Sequence, residues 1–188
     1  MPQQRVLTER LELIPLADEH LDEEIGLDAD PEVTHYVWGR ARTADEVRES
    51  HAQRLDRGRQ VDGLGFWVGF LHGEPDRPFV GWWCLAPPHG SDQPDWRTSP
   101  GVAEFGYRLH TRFWRQGLAT EGALALLTHG FDDLCLRRVI AHAMRDNVGS
   151  QGVMRSAGMT RMRSWVGEDG PEVEYEVTRH AWFSRHLT

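Results

Sequence analysis

The apolar positions in the first third of the chain follow two different periods. Alternation of polar and apolar residues over 10–14 predicts a first strand, whereas apolar residues recur at helical spacing over 17–27 and 43–57. Glu46 follows Thr43 by three residues, which is the capping-box pattern at a helix N-terminus. The intervening segment 31–39 predicts a short turn of helix or a loop. The chain is therefore expected to open with one strand followed by helices.

The rest of the chain alternates strands and helices. The predicted elements are a hairpin over 65–71 and 79–85, a loop over 87–100, a strand over 102–109, an amphipathic helix over 117–133, a strand over 139–144, a helix over 147–157 and a second hairpin over 159–166 and 173–179. No repeat or linker interrupts this order, so we expect one mixed α/β domain spanning residues 1–188. The strand–helix–strand crossover over 102–144 allows those two strands to be parallel.

Composition narrows the classes of function. The chain has 39% hydrophobic and 27% charged residues and a formal net charge of −8. An acidic protein lacks the basic footprint that nucleic acid requires, and the acidity suits either a cationic acceptor or simple solubility. No apolar run approaches the length of about 18 residues that a membrane span needs, and no signal peptide is evident. We therefore expect no membrane association and a cytoplasmic location. Cys84 and Cys135 are expected to pack in the core.

The ten histidines do not form a metal-binding motif. Neither HExxH nor a pattern of paired cysteines with histidine occurs, and the histidines fall on different predicted elements. We therefore expect no metal, and histidines that pack or lie on the surface. Trp82 and Trp83 are adjacent in a predicted strand, so their side chains must face opposite sides of the sheet.

A strand followed by a small-residue turn and a helix predicts an anion site. The first N–H groups of such a helix are unpaired, and the helix dipole favours negative charge there. The six residues of this segment are Arg115, Gln116, Gly117, Leu118, Ala119 and Thr120. Glycine and alanine leave room for a phosphate, and arginine and threonine can add contacts. The alternative is that Gly117 only begins a helix. The lysine of a P-loop is missing, and the glycines at 63–69 precede or lie in a strand, which is the wrong context for a dinucleotide site.

Three motifs together resemble a known family. They are Glu-Phe-Gly-Tyr at 104–107, Trp-Arg-Gln-Gly-Leu-Ala-Thr-Glu-Gly at 114–122, and Asp-Asn-x-x-Ser at 146–150 followed by Gly-Met at 158–159. This pattern resembles the GNAT superfamily of N-acetyltransferases, and most closely the branch that acetylates protein N-termini, including those of ribosomal proteins. The sequence departs from that branch at Gly122, where alanine is usual, and at Met159, where phenylalanine is usual.

The resemblance implies a GNAT fold and a cofactor. The fold has a central twisted mixed sheet of about seven strands that splays at its middle, with flanking helices. Acetyl-CoA would be the co-substrate, with its pyrophosphate on residues 115–120 and its pantetheine in the splay. The residues implied for pantetheine are Gly106, Tyr107, Arg108, Leu109, Asn147 and Ser150. Asn147 can equally be a helix N-cap that needs no cofactor.

The resemblance also implies catalytic roles. Glu104 at the splay is the candidate proton acceptor, through a water, and the alternative is a solvated carboxylate on a strand. Many members of the family place a tyrosine on this helix for the leaving thiolate, but none lies between Asn147 and Met159 here. The resemblance therefore assigns Ser150 to stabilising the thiolate, with first-turn capping as its alternative. Tyr36 and Trp38 are candidates for the wall of the acceptor pocket or for plain packing.

The expected activity is N-acylation of a primary amine, and acceptor identity stays open. The branch implies a protein or peptide N-terminal α-amine. A small-molecule amine such as an antibiotic or polyamine, and a non-catalytic CoA-binding module, are the alternatives. The acyl group is expected to be acetyl, although the sequence also allows a longer one, and the protein is expected to be a monomer or homodimer.

Overall fold

A computed structural model of the chain describes residues 2–90, 93–167 and 170–185. Within these ranges eight strands form one open sheet in the order β1-β2-β3-β4-β5-β6-β8-β7. Their bounds are β1 Val6–Leu7, β2 Leu11–Pro15, β3 Gly65–Leu71, β4 Phe79–Ala86, β5 Val102–Leu109, β6 Arg138–Met144, β7 Thr160–Gly167 and β8 Gly170–Thr178. The GNAT-type mixed sheet expected from the sequence is confirmed, with the two-residue β1 added to the seven predicted strands.

Side-chain caps fix where several helices begin. The helices are α1 Leu21–Asp28, α2 Pro31–Trp38, α3 Ala44–Gly58, α4 Leu118–Thr128, α5 Val148–Ser156 and α6 Arg179–Arg185. Asp30 accepts a hydrogen bond from the N–H of Glu32 at the start of α2, where Pro31 occupies the first turn. The predicted capping box of Thr43 and Glu46 is present at α3.

The strand pairing of the sheet changes from antiparallel to parallel between β5 and β6. These two strands are parallel and pair over three residues only, from Val102 opposite Arg138 to Glu104 opposite Ile140. β5 continues to pair with β4 as far as Leu109, and β6 with β8 as far as Met144. The two strands therefore separate beyond Glu104 and Ile140, and a wedge opens at the middle of the sheet.

Helices cover both faces of the sheet. On one face α4, α5 and α6 pack with Trp83 and Phe105 in the larger core cluster. On the other face Leu27 of α1 and Val33 of α2 pack with Trp82 in a second cluster. The adjacent tryptophans lie on opposite faces, as the strand period requires. Alternation along β5 likewise assigns Glu104 to the face of α1–α3 and Tyr107 to the face of α4–α6.

Two local predictions need correction, one open alternative is settled, and one helix had no prediction. Segment 31–39 is a helix, because Asp30 and Pro31 favour a helix start. The long predicted helix 117–133 ends as an α-helix at Thr128 and continues as a π-helical turn, His129–Asp133. The final helix α6 was not expected. Cys135 is exposed, with φ of 53°, and lies in the connection before β6 and not in the core, whereas Cys84 is buried as expected.

Gly122 is explained by a close approach of helix to sheet. A Cβ atom at this position would lie 2.5 Å from the indole ring of Trp83, which is fully buried. We expect Gly122→Ala to lower the free energy of unfolding by about 1–3 kcal/mol, because the ring cannot move aside in a packed core. The matched control is Gly152→Ala in α5, where only the Arg155 side chain comes within 4 Å, at 4.0 Å. That change should stabilise by about 0.5–1 kcal/mol. Urea unfolding of both variants checks the pair, and equal effects would contradict the packing argument.

Candidate active site

A cavity of about 700 Å³ lies at the wedge between β5 and β6. Eight of the site residues expected from the sequence line it: Tyr36, Trp38, Glu104, Gly106, Tyr107, Arg108, Asn147 and Ser150. Its other walls come from α3, β4 and β8. Leu109 and residues 115–120 do not belong to the described lining, since Leu109 points into the core and 115–120 lie at the start of α4.

Glu104 is held on several sides. Arg57, in the last turn of α3, donates from its guanidinium to Glu104 Oε2. The same oxygen accepts from the backbone N–H of His89 at 3.2 Å, and Oε1 lies 3.4 Å from His142 Nδ1. One fifth of the Glu104 side chain stays exposed to the cavity. The carboxylate is thus a fixed group in the wall and not a freely solvated one.

The neighbours of Glu104 set its charge. Burial acts to raise the pKa of Glu104, but the hydrogen bond from His142 and the charge of Arg57 outweigh it and leave the pKa below its usual range. Burial acts to lower the pKa of His142, and its bonds to Glu104 and Glu174 outweigh that effect and raise the pKa. Glu104 is therefore ionised at neutral pH, and the His142 ring holds its proton more tightly than an ordinary histidine.

The opposite side of the wedge carries two hydroxyl groups. Asn147 Oδ1 accepts from the N–H of Ser150 at 3.0 Å, so Asn147 is the cap of α5. Burial raises the pKa of Tyr107 to about 12, although its interaction with the Ser150 side chain acts to lower it. Tyr107 stays protonated at neutral pH and keeps a phenolic O–H at the cavity. A tyrosine hydroxyl from β5 thus lies at the same cavity as Ser150.

An aromatic and arginine-rich wall closes the acceptor side. The Arg108 guanidinium bonds both oxygens of buried Asp28, at 2.7 and 2.9 Å. It also lies over the Trp38 ring at 4.5 Å, and Arg42 lies over the same ring at 4.1 Å. The Arg108 guanidinium is therefore engaged by groups of the wall. Trp38 and Tyr36 line the cavity while remaining 38% and 41% exposed.

The start of α4 has the geometry of an anion cradle. Arg115 and Gly117 adopt left-handed backbone conformations, with φ of 60° and 81°. The first bond within the helix runs from the Glu121 N–H to the Gly117 carbonyl, so the N–H groups of residues 118–120 belong to the open helix end. Arg10 fixes this segment by bonding the Gln116 carbonyl and Glu121. A backbone of this shape fits a phosphate group.

Comparison with known proteins decides the family. The model of the acetyltransferase (GNAT) domain matches residues 10–160 of the chain. The chain belongs to the GNAT acetyltransferase family. A curated relative from Aspergillus fumigatus, FsC-acetyl coenzyme A-N(2)-transacetylase, is 40% identical over 185 residues, which cover 93% of this chain and 76% of the relative.

Solved GNAT structures share the fold. A GNAT-family acetyltransferase from Bacillus anthracis has a TM-score of 0.76 and 20% identity, covering 94% of this chain and 99% of its own. RimL, a ribosomal L7/L12 alpha-N-protein acetyltransferase in complex with coenzyme A, has a TM-score of 0.74 and 17% identity, covering 93% and 98%. This GNAT protein is accordingly an acetyl-CoA-dependent N-acetyltransferase, as the sequence predicted.

Two further structural findings bear on the site. Across the described ranges no helix is long and apolar enough to cross a membrane. In the same part of the chain no cluster of three or more His, Cys, Asp or Glu side chains could hold a metal ion.

Sequence reasoning missed three contributors to this GNAT site. Arg57 and His142 contact Glu104 from positions 47 and 38 residues away, and His142 was expected only to pack or lie on the surface. The third is the side chain of Tyr107, which the resemblance names only as a pantetheine residue. Strand parity could have found it, because residues 104 and 107 must face opposite sides of β5.

Proposed function

We propose that this GNAT enzyme transfers the acetyl group of acetyl-CoA to an α-amine, with Glu104 as the proton acceptor. The observation that supports this most is the arrangement across the wedge. Glu104 lies on one face of the splayed strands and the Ser150–Tyr107 pair on the other, and all three line one cavity. A thioester between them has a base on the side of the attacking amine and two hydroxyl groups on the side of the leaving sulfur.

The charge of Glu104 suits this role. Attack requires a neutral amine, so a proton must leave the ammonium form that prevails at neutral pH. The ionised carboxylate can attract that ammonium and take its proton through a water. Because Arg57 and His142 lower its pKa, Glu104 is a weak base. A weak base is best matched to an amine that gives up its proton easily.

The amine pKa then selects the acceptor. With reference pKa values of about 8 for an α-amine and 10.4 for a lysine side chain, deprotonation at pH 7 costs about 1.4 and 4.6 kcal/mol respectively. This difference of about 3 kcal/mol supports an α-amine over the more basic amine of a lysine side chain.

The name of one relative bears on the chemical type of the acceptor. The Aspergillus fumigatus relative is named for transfer to an N(2) nitrogen, and in amino-acid nomenclature N(2) is the amine on the α-carbon. That name supports an amino-acid derivative as the acceptor for this chain. A peptide N-terminus presents the same chemical group and is the larger acceptor to test beside it.

Matched acceptors test the proposed function. Release of free thiol from acetyl-CoA would be measured with lysine amides that carry a blocking group on either the α-nitrogen or the ε-nitrogen. We expect the derivative with a free α-amine to have a kcat/KM at least tenfold higher than its twin, since the difference of about 3 kcal/mol in deprotonation favours it. A faster reaction of the free ε-amine would contradict an α-amine acceptor. Thiol release with no dependence on any amine would contradict N-acetylation.

Removal of either hydroxyl group of the Ser150–Tyr107 pair should lower turnover with little loss of cofactor affinity. Removal of one hydrogen bond to a developing thiolate should raise the barrier by about 1.5–3 kcal/mol, or about 10–150-fold in kcat. We expect this for Tyr107→Phe and a similar or smaller effect for Ser150→Ala. Asn147 caps α5, so neither change should unfold the helix. Steady-state kinetics and calorimetry with CoA check it, and wild-type kcat in both variants would assign the pair to packing.

A further inference from the structure

In the described part of the chain, a row of polar side chains leads from the acceptor cavity across three strands of the sheet. Glu104 on β5, His142 on β6 and Glu174 on β8 lie on the same face in register, because Glu104 pairs with Ile140 and His142 with Glu174. His142 Nδ1 is 3.4 Å from Glu104 Oε1, and its Nε2 is 3.1 Å from Glu174 Oε2. The histidine therefore bridges two carboxylates, one at each ring nitrogen.

The two ends of this row open into different spaces. Glu104 and His142 line the cavity at the wedge. Glu174 lines a separate polar groove of about 520 Å³, together with Ser99, Arg138 and Arg163. We propose that the His142–Glu174 pair carries the acceptor's proton from Glu104 across the sheet to this groove. The inference rests on the proposed role of Glu104 as proton acceptor.

The relay balances the protons of the reaction. An ammonium acceptor must lose one proton to become the nucleophile, and Glu104 takes it through a water. The O–H of Glu104 then passes its proton to Nδ1 of neutral His142, while the Nε2–H of the ring passes to Glu174. Glu174 releases that proton to solvent in the groove, so one proton leaves for each ammonium acetylated. The second proton lost by nitrogen goes to the departing sulfur as the C–N bond forms and the C–S bond breaks.

The protonation state of His142 decides whether the relay can carry a proton. The ring can accept at Nδ1 only when it is neutral, so imidazolium blocks the path. The ionisable groups in contact with the ring are Glu104 and Glu174, and Arg57 and Arg163 lie behind them as cations. The two carboxylates raise the pKa of His142. Turnover should therefore rise with pH through an ionisation above the usual range of histidine.

The pH profile of His142→Gln tests the relay. Glutamine keeps a polar side chain between the carboxylates but cannot titrate. We expect kcat at a pH above the histidine ionisation, where the wild-type ring is neutral, to fall at least tenfold, by the usual scale of proton-transfer catalysis. The histidine ionisation should also vanish from the profile. A second variant, His142→Ala, should regain severalfold activity when imidazole is added to the assay. A lower rate with the wild-type ionisation retained, and no response to imidazole, would overturn the relay.

A pair of neighbouring glutamates on β8 supplies the control. Glu174→Gln removes the last acceptor of the row, whereas Glu176→Gln removes the same charge two residues along, where Glu176 is paired with Arg138 at 3.0 Å. We expect a fall in kcat of at least tenfold only in Glu174→Gln. Equal rates in the two variants would contradict the exit through Glu174. Failure of the relay leaves the loss in Glu104→Gln unchanged, whereas wild-type turnover in Glu104→Gln would contradict the proposed function itself.

Discussion

Glu104→Gln is expected to lower kcat by about 10²–10⁴-fold, the usual contribution of a general base. Glutamine has the same shape and can still accept from Arg57 and from the His89 N–H, so the wall should stay in place. It cannot take a proton from the acceptor, which is why the loss should appear in turnover. Affinity for CoA should remain within a few-fold, since α4 packs on the opposite face of the sheet from this side chain.

The control for Glu104→Gln is a second carboxylate in the same cavity. Glu172 also lines the cavity, and it lies two residues before Glu174 on β8. Glu172→Gln removes an identical charge, and it should change kcat by only a few-fold. Single-turnover rates of thiol release, with melting temperatures for both variants, make the comparison. A Glu104→Gln enzyme as fast as Glu172→Gln would exclude Glu104 as the base.

Gly117→Glu is expected to raise the Kd for CoA by more than about 100-fold. The new carboxylate would stand at the open end of α4, where the proposed pyrophosphate site lies. Two unit charges about 5 Å apart repel by about 3 kcal/mol at an effective dielectric constant of about 20, which corresponds to roughly two orders of magnitude in affinity. Isothermal calorimetry with CoA measures the change.

Backbone strain must be separated from charge in this variant. Gly117 has φ of 81°, a conformation that costs other residues about 1–2 kcal/mol. Gly73 in the β3–β4 connection has φ of 86°, and a Cβ there would have open space. Gly73→Glu thus introduces the same charge and strain away from the cradle. We expect similar losses of stability in both variants and a loss of CoA affinity only in Gly117→Glu. Similar affinities in the two would contradict a pyrophosphate site at α4.

The sequence predicted the GNAT fold because its local signals agree with one another. Alternation gave the bounds of β5, and the capping pattern of Thr43 and Glu46 gave the start of α3. The short strand β1 was missed because two residues are too few to show a period. The start of α2 depends on Asp30 and Pro31, a signal present in a segment that predicts only a short turn of helix or a loop.

The network around Glu104 could not be predicted in the same way. Its contact with His142 requires the register of β5 on β6, and the contact of His142 with Glu174 requires the register of β6 on β8. Neither register leaves a mark in a local stretch of sequence. Gly122 is a similar case, because its reason is the Trp83 ring, 39 residues away on another element. Motifs therefore identified residues, and only tertiary contacts identified their partners.

The short parallel junction between β5 and β6 determines how the motions of the two halves of the sheet are coupled. Strands β1–β5 form one antiparallel half and β6–β8 the other, and three residue pairs join them. A pantetheine chain that bonds both edges of the wedge would act as an additional strand between the halves. Part of the binding energy of acetyl-CoA would then be spent on coupling their motions. Amide hydrogens facing the wedge would exchange slowly with CoA bound and faster after its release, so each catalytic cycle would stiffen and loosen the sheet at its centre.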